Sequence, residues 1–208
     1  KSETVSQLLE LLSNDRALAR KRFVRAVLGD HPYSRDSMGI ASEVSTFTDG
    51  DIHRHYGSMV RDARLLVLGT GDASEAFVQE WATRLGKLRA GGAPAAAIVP
   101  PVLPAERRLL IVDKPERTQT QIFVGQVSAH PREARFFPLT LADHVFGGPV
   151  FTSRLMKEIR AKRGWSYGVR SSITYESQPR LWAMTYSPAN KDTLAALAYG
   201  LGMIEELK

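Results

Sequence analysis

An α+β fold in two modules is the reading this sequence supports, on three observations. Apolar residues recur at helical spacing in several segments. Shorter apolar or alternating runs between those segments read as strands, and the two strands near the end of the chain are joined by a short turn, which makes them antiparallel neighbours. A stretch over residues 91–106, holding Pro94, Pro100, Pro101 and Pro104, resists both helix and sheet and reads as an extended linker. The predicted division is therefore 1–90, a linker over 91–106, and 107–208.

The first module opens with helices over 3–12 and 15–28, the second capped by Asn14 or Asp15. Gly29 to Ser34 form a loop, because Pro32 pushes His31 out of helical geometry. Thr48 starts the next helix, with Asp51 spaced for a capping box. Residues 64–69 (RLLVLG) read as a buried strand, and 73–88 as an amphipathic helix with Phe77, Trp81 and Leu85 on one side.

In the second module, 107–112 and 119–127 read as strands and 133–146 as a helix broken by Gly147-Gly148-Pro149. A further helix is predicted over 151–163, with Phe151, Leu155 and Ile159 at i, i+4 and i+8 and Gly164 as its C-cap. Strands follow over 165–175 and 180–187, turning around Gln178-Pro179. Pro188 and Asn190 open a last helix that runs to the end of the sequence. A chain stopping inside a helix is expected to be a piece of a longer protein.

Composition excludes several chemistries. Hydrophobic residues make up 43% and charged residues 24%, which is the balance of a globular domain with an ordinary core. There is no cysteine, so disulfides, thiolate metal sites and cysteine nucleophiles are all excluded. That fits either cytoplasm or periplasm. No apolar run is long enough to span a membrane. The net charge of +6 is concentrated in Arg16 to Arg25 and Arg154 to Arg163. Both stretches read as solvated helix faces, and no basic patch is interleaved with aromatics, so nucleic acid is not an expected partner.

Local motifs give little. Gly69-Thr70-Gly71 stands between a predicted strand and helix, where a dinucleotide phosphate could sit, but position 74 is Ser rather than a third glycine. An ordinary turn capped by Asp72 or Ser74 accounts for the same residues. Asp49, Asp51, His53 and His55 include ligand types, yet His53 and His55 point about 200° apart on a helix. His31 reads as structural. No HExxH, HxxEH, G-x-S-x-G or S-x-x-K motif is present.

Residues 140–175 are the informative region. Arg160 ends a basic helix and Tyr167 begins the next strand. A helix-to-strand turn can bring a guanidinium fork and a phenol donor to one point, which suits an oxyanion or a peptide carbonyl. Spacing alone leaves a second reading open: a surface cation, and a core aromatic on the Trp165/Val169/Ile173 face.

The segment GGPVFTSRLMKEIRAKRGWSYGV resembles the insulinase/pitrilysin/mitochondrial-processing-peptidase family, whose pattern reads roughly G-G-x-x-S-R-L-x-x-x-[IL]-R-x-x-x-G-L-x-Y. Gly147, Gly148, Ser153, Arg154, Leu155, Arg160, Gly164 and Tyr167 match it as they stand. Trp165 replaces the usual Leu, and Pro149 interrupts the small-residue run. His31-Pro32-Tyr33 with Gly39, Thr48 to Tyr56, LLVLGTGD and RTQTQIFVG resemble further family segments in the same order. The resemblance implies metallopeptidase half-domains, each a mixed or antiparallel sheet covered by helices. Residues 1–90 would be the C-terminal part of a first half, and 107–208 the first part of a zinc-free second half.

It also implies function. Arg160 and Tyr167 would reach over to a zinc site of the other half and help bind substrate and the tetrahedral intermediate. Gly147, Gly148, Phe151 and Ser153 would belong to the substrate-binding surface. The HxxEH motif would lie upstream or in a partner chain, so zinc is expected in that half and none here. Thr140 to His144 fall where a duplicated domain would carry the motif, with Thr for the first His and Asp for the Glu. The partners implied are an HxxEH-containing half or subunit and a peptide that adds as a strand to a sheet edge, with a homo- or heterodimer as the assembly. The chain is expected to be inactive alone. A bacterial periplasmic or cytoplasmic location is all the resemblance suggests. Two alternatives stay open, a purely scaffolding homologue of the same fold and a nucleotide-binding α/β protein.

Overall fold

The computed structural model describes residues 1–62, 68–87 and 97–207. Its contacts divide the chain into two compact units, Lys1–Ser2 with Ala41–Ala97, and Glu3–Ile40 with Ile98–Lys208. One boundary falls at Ala97/Ile98, within the proline-rich stretch, and another at Ile40/Ala41. The helices before His31 share a unit with the sheet, because the apolar side of α2 (Asp15–Leu28) is buried against it.

The first unit holds three helices, α3 (Ala41–Thr46), α4 (Asp49–Asp62) and α5 (Glu75–Gly86). The predicted capping box of α4 is present: Thr48 N donates to Asp51 Oδ2 at 2.8 Å and Asp51 N to Thr48 Oγ1 at 3.2 Å. Ser74 caps α5 by accepting from Phe77 N, and Phe77 and Trp81 pack together one turn apart. Most of the strand expected over 64–69 lies outside the described residues.

The second unit is built on a three-stranded antiparallel sheet, β1 (Ile122–Gln126), β2 (Val169–Tyr175) and β3 (Pro179–Tyr186), in the order β1-β3-β2. Side chains alternate across a strand, so the sheet has two unlike faces. The inner face presents Ile122, Val169, Met184 and Tyr186. It packs on Phe146 of α6 (Phe136–Gly147), on Leu155 and Ile159, and on Ala196 and Met203 of α7 (Thr193–Glu205). The outer face presents Phe123, Gly125 and Leu181 to α2, with Phe23 and Phe123 at a ring separation of 5.6 Å. Ahead of α2 comes α1 (Ser2–Ser13), joined to it at Asn14, whose side chain accepts from Ala17 N at 2.9 Å.

Three expectations are corrected. Residues 107–112 form no strand. Leu109 and Ile111 are 78% and 77% exposed, and no described segment pairs with the run. An apolar run becomes a strand only when a partner satisfies its amides. The helix expected over 151–163 begins only at Arg154 and is a π-helix over Met156–Ala161, with Lys162 N bonded to Lys157 O at 3.0 Å. Phe151 therefore lies in the preceding turn and is 77% exposed, while Leu155 and Ile159 are fully buried. The last helix ends at Glu205.

Met184 is 0% exposed and sits at the middle of the central strand, opposite Val124 on one side and Ser171 on the other. Truncating it to alanine leaves a cavity that the neighbouring helices only partly close. Met184→Ala is expected to cost about 3 kcal/mol. Urea unfolding followed by circular dichroism checks this: the midpoint should fall with the slope unchanged.

Candidate functional site

The site forms at one end of the sheet, where the row Ile122, Tyr186 and Val169 closes it. The π-helix delivers Arg160. Ile159 is locked into the core, and Gly164, with φ 65°, ends the helix while Trp165 N reaches back to Ile159 O at 3.1 Å. The chain then runs through Ser166, whose hydroxyl accepts from Ser187 N at 2.9 Å and donates to Gly168 O. That pins Tyr167 on the outside of a tight connection. Tyr167 is 87% exposed, which excludes the reading of it as a core aromatic.

Arg160 and Tyr167 do meet. The guanidinium carbon lies 4.5 Å from the centre of the Tyr167 ring and 5.3 Å from that of Phe151. Both distances are within cation–π range, so Arg160 contacts two aromatic rings. Neither the guanidinium nor the phenol has a hydrogen-bond partner among the described residues. The adjacent basic residues differ: Lys162 and Arg163 bind Glu158 at 2.5 and 2.9 Å. Glu158 thus engages the two cations that follow the helix and not Arg160, leaving the donors of Arg160 and Tyr167 available. Together they border an open groove of about 330 Å³, with Gly148, Phe151, Gln121 and Ser187 also in its wall.

The remaining predicted residues divide. Gly148 and Phe151 line the groove. Gly147 and Ser153 do not. A Cβ on Gly147 would come within 2.5 Å of Leu155 Cδ1 and of Ser171 N, so its small size lets α6 lie close against β2. Ser153 is buried, and its hydroxyl accepts from Met156 N at 3.4 Å at the start of the helical turn. Sequence reasoning missed Arg16 and Arg170, which also line the groove. Strand alternation gives Arg170 the face opposite Val169, but nothing local to Arg16 signals that α2 brings it there.

The residues at the expected metal-motif positions do not fit zinc. Thr140 spends its hydroxyl on Phe136 O at 2.9 Å, Asp143 Oδ1 accepts from Trp182 Nε1 at 2.7 Å, and His144 stands alone. A catalytic zinc takes about three protein ligands. His31 and His130 use both ring nitrogens in loop bonds. Among the described residues no three His, Asp or Glu side chains converge.

Glu158 is the electrostatic anchor of the π-helix. Hydrogen bonds from Lys162, Arg163 and Tyr199 hold its carboxyl down at about 2. The Arg163 guanidinium lies 3.6 Å from the centre of the Tyr199 ring, so the same residues tie the helix to α7.

Comparison with known proteins identifies the family and the fold. Residues 46–208 match the family described as the peptidase M16 inactive domain. An uncharacterized zinc protease of Mycobacterium tuberculosis is 28% identical over 156 residues, 73% of this chain and 35% of that protein. One from Mycobacterium leprae is 28% identical over 161 residues, 73% of this chain and 34% of that protein. The chain thus spans about a third of the length of these relatives. A peptidase M16 inactive domain from Pseudomonas fluorescens superposes with a TM-score of 0.80 at 19% identity, covering 99% of this chain and 49% of that one. A protease from Helicobacter pylori superposes at 0.64 with 15% identity, covering 97% and 52%. At these identities the superpositions establish the fold.

The pH dependence of stability follows from Glu158. Its folded pKa lies below the ordinary value of 4.5, so its contribution is fully present above about 4.5 and lost as pH falls toward about 2. Glu158→Gln should remove that part of the acid destabilisation. Comparing urea midpoints of the two proteins at neutral and strongly acidic pH measures it.

Proposed function

The chain belongs to the peptidase M16 inactive-domain family, and on that premise we propose that it is the non-catalytic part of a zinc metallopeptidase, lending Arg160, Tyr167 and a peptide-binding surface to an HxxEH site on another segment or subunit. The observation that carries this is the stacked Arg160–Tyr167 pair, with its donors free at the rim of the groove. A guanidinium already in contact with two rings loses less freedom when it binds than an unsupported one. A carbonyl oxygen that gains negative charge as its peptide is attacked would be met by a charged donor and a phenol already in position. Gly148 and Phe151 would border the bound segment, and β1, an edge strand of this sheet, offers backbone groups for strand addition. Gly147 and Ser153 support that surface from beneath. The half-domain division at the proline-rich stretch belongs to the same proposal.

The experiment uses the protein with its HxxEH half or subunit present. Arg160→Ala should lower kcat on the order of 10²-fold, the cost of one oxyanion donor, and Tyr167→Phe should lower it less. Elemental analysis of the chain alone should find less than about a tenth of an equivalent of zinc, as expected where three ligands do not converge. Unchanged kcat in both variants would favour a scaffolding homologue. Near-stoichiometric zinc in the chain alone would overturn the reading.

A further inference from the structure

The outer face of the sheet carries a charge pattern that the Arg160–Tyr167 pair does not use. Between α2 and this face runs a second stretch of groove, of about 520 Å³, lined by Arg16 and Arg20 from α2 and by Arg170 from β2. It is continuous with the first, since Arg16, Phe123, Arg170 and Thr185 line both. Counting Arg160, the joined groove gathers four guanidiniums and no carboxylate in its walls. A fifth, Arg180 at the far end, is paired with Glu176 at 3.2 Å.

The pairing elsewhere on α2 makes the contrast. Lys21 binds Asp36 at 3.2 Å and Arg25 binds Asp30, whereas Arg16, Arg20 and Arg170 have no ion-pair partner among the described residues. Like charges lining one low-dielectric cleft repel, and the field they focus attracts an anion. Phe23, Phe123 and Leu181 make the apolar part of the floor beneath them, beside the hydroxyls of Ser172, Thr174 and Thr185. Phe23 of α2 packs on Phe123 at a ring separation of 5.6 Å, so the groove runs along the rim where α2 meets the sheet rather than beneath the helix. An arginine rim over a partly apolar floor, beside the edge at which the proposed peptide surface lies, suits a polypeptide with acidic side chains.

We infer that this groove binds an acidic stretch of an extended peptide, so that the peptides taken by this domain carry Asp or Glu beside the residue that reaches Arg160 and Tyr167. The inference rests on the reading of the Arg160–Tyr167 groove as a peptide surface. Bidentate contact with carboxylates is the geometry for which guanidinium groups are suited.

The test is fluorescence anisotropy of the 208-residue chain with labelled peptides of about ten residues, long enough to follow the groove at ~3.3 Å per residue. Three otherwise identical peptides carry alternating Glu, Gln or Lys. The Glu peptide should bind at least about tenfold more tightly than the Gln peptide at low salt, and the gap should narrow as salt rises. Arg16→Glu/Arg170→Glu should abolish that preference, the Glu peptide losing more affinity than the Gln peptide. The charge-neutral pair Arg16→Gln/Arg170→Gln should do the same with less risk to folding, and thermal melts check both. Equal binding of Glu and Gln peptides would overturn the inference and leave the peptide surface standing. Failure of all three peptides to bind would overturn both. Duplex DNA competing as well as the Glu peptide would make this a general polyanion patch and overturn the acidic-peptide assignment.

Discussion

Burial of the inner face of β3 is the constraint on which the rest depends. Met184 and Tyr186 take their places only if α6, α7 and the π-helix close over them. Tyr186 donates to Ala196 O at 3.0 Å, and its ring fits because position 200 of α7 is glycine, where a Cβ would approach the phenol oxygen to 2.7 Å. Burial of that phenol pushes its pKa up. With these contacts made, Leu155 and Ile159 have one place to go, and the helix that carries them widens by a residue per turn to reach it. Arg160 is then turned out of the core beside Ile159, at the end of the sheet where Tyr167 emerges. The meeting of Arg160 and Tyr167 is thus a by-product of how the core is filled.

Electrostatics divides the labour along the same few residues. Glu158, Lys162, Arg163 and Tyr199 satisfy one another and fasten the π-helix to α7. Arg160 lies two residues from Glu158 and is passed over by that network. Its partners are the faces of two rings, which orient a guanidinium without consuming its hydrogen-bond donors. A salt bridge in their place would have left a neutral pair with nothing to offer a ligand. Arg16, Arg20 and Arg170 of the outer groove follow the same pattern: they stand clear of the carboxylates that pair with Lys21 and Arg25.

The sequence and the structure diverge where tertiary context overrides local pattern. The apolar run over 107–112 has the composition of a strand, yet a strand exists only through a partner, and none among the described residues pairs with it. Phe151, Leu155 and Ile159 have helical spacing, but spacing cannot say that the helix starts after Phe151 or that its turns are wide. Gly147 and Ser153 stand in the matched motif beside Gly148 and Phe151, and only packing separates the buried pair from the pair in the groove wall.

The sequence by itself determined the α+β class, a cap at Asn14 or Asp15, the capping box at Thr48, the antiparallel pairing of β2 and β3, and the family, whose motif holds Arg160 and Tyr167 seven residues apart. These are set by interactions among near neighbours in the chain, which leave a readable spacing. The tertiary structure alone decided that Arg160 stacks on Tyr167 and Phe151, that Glu158 spares it, and that Arg16 and Arg170 share its groove. Those contacts join residues from separate elements, and no local spacing encodes how a helix and a sheet will meet once the core between them is filled.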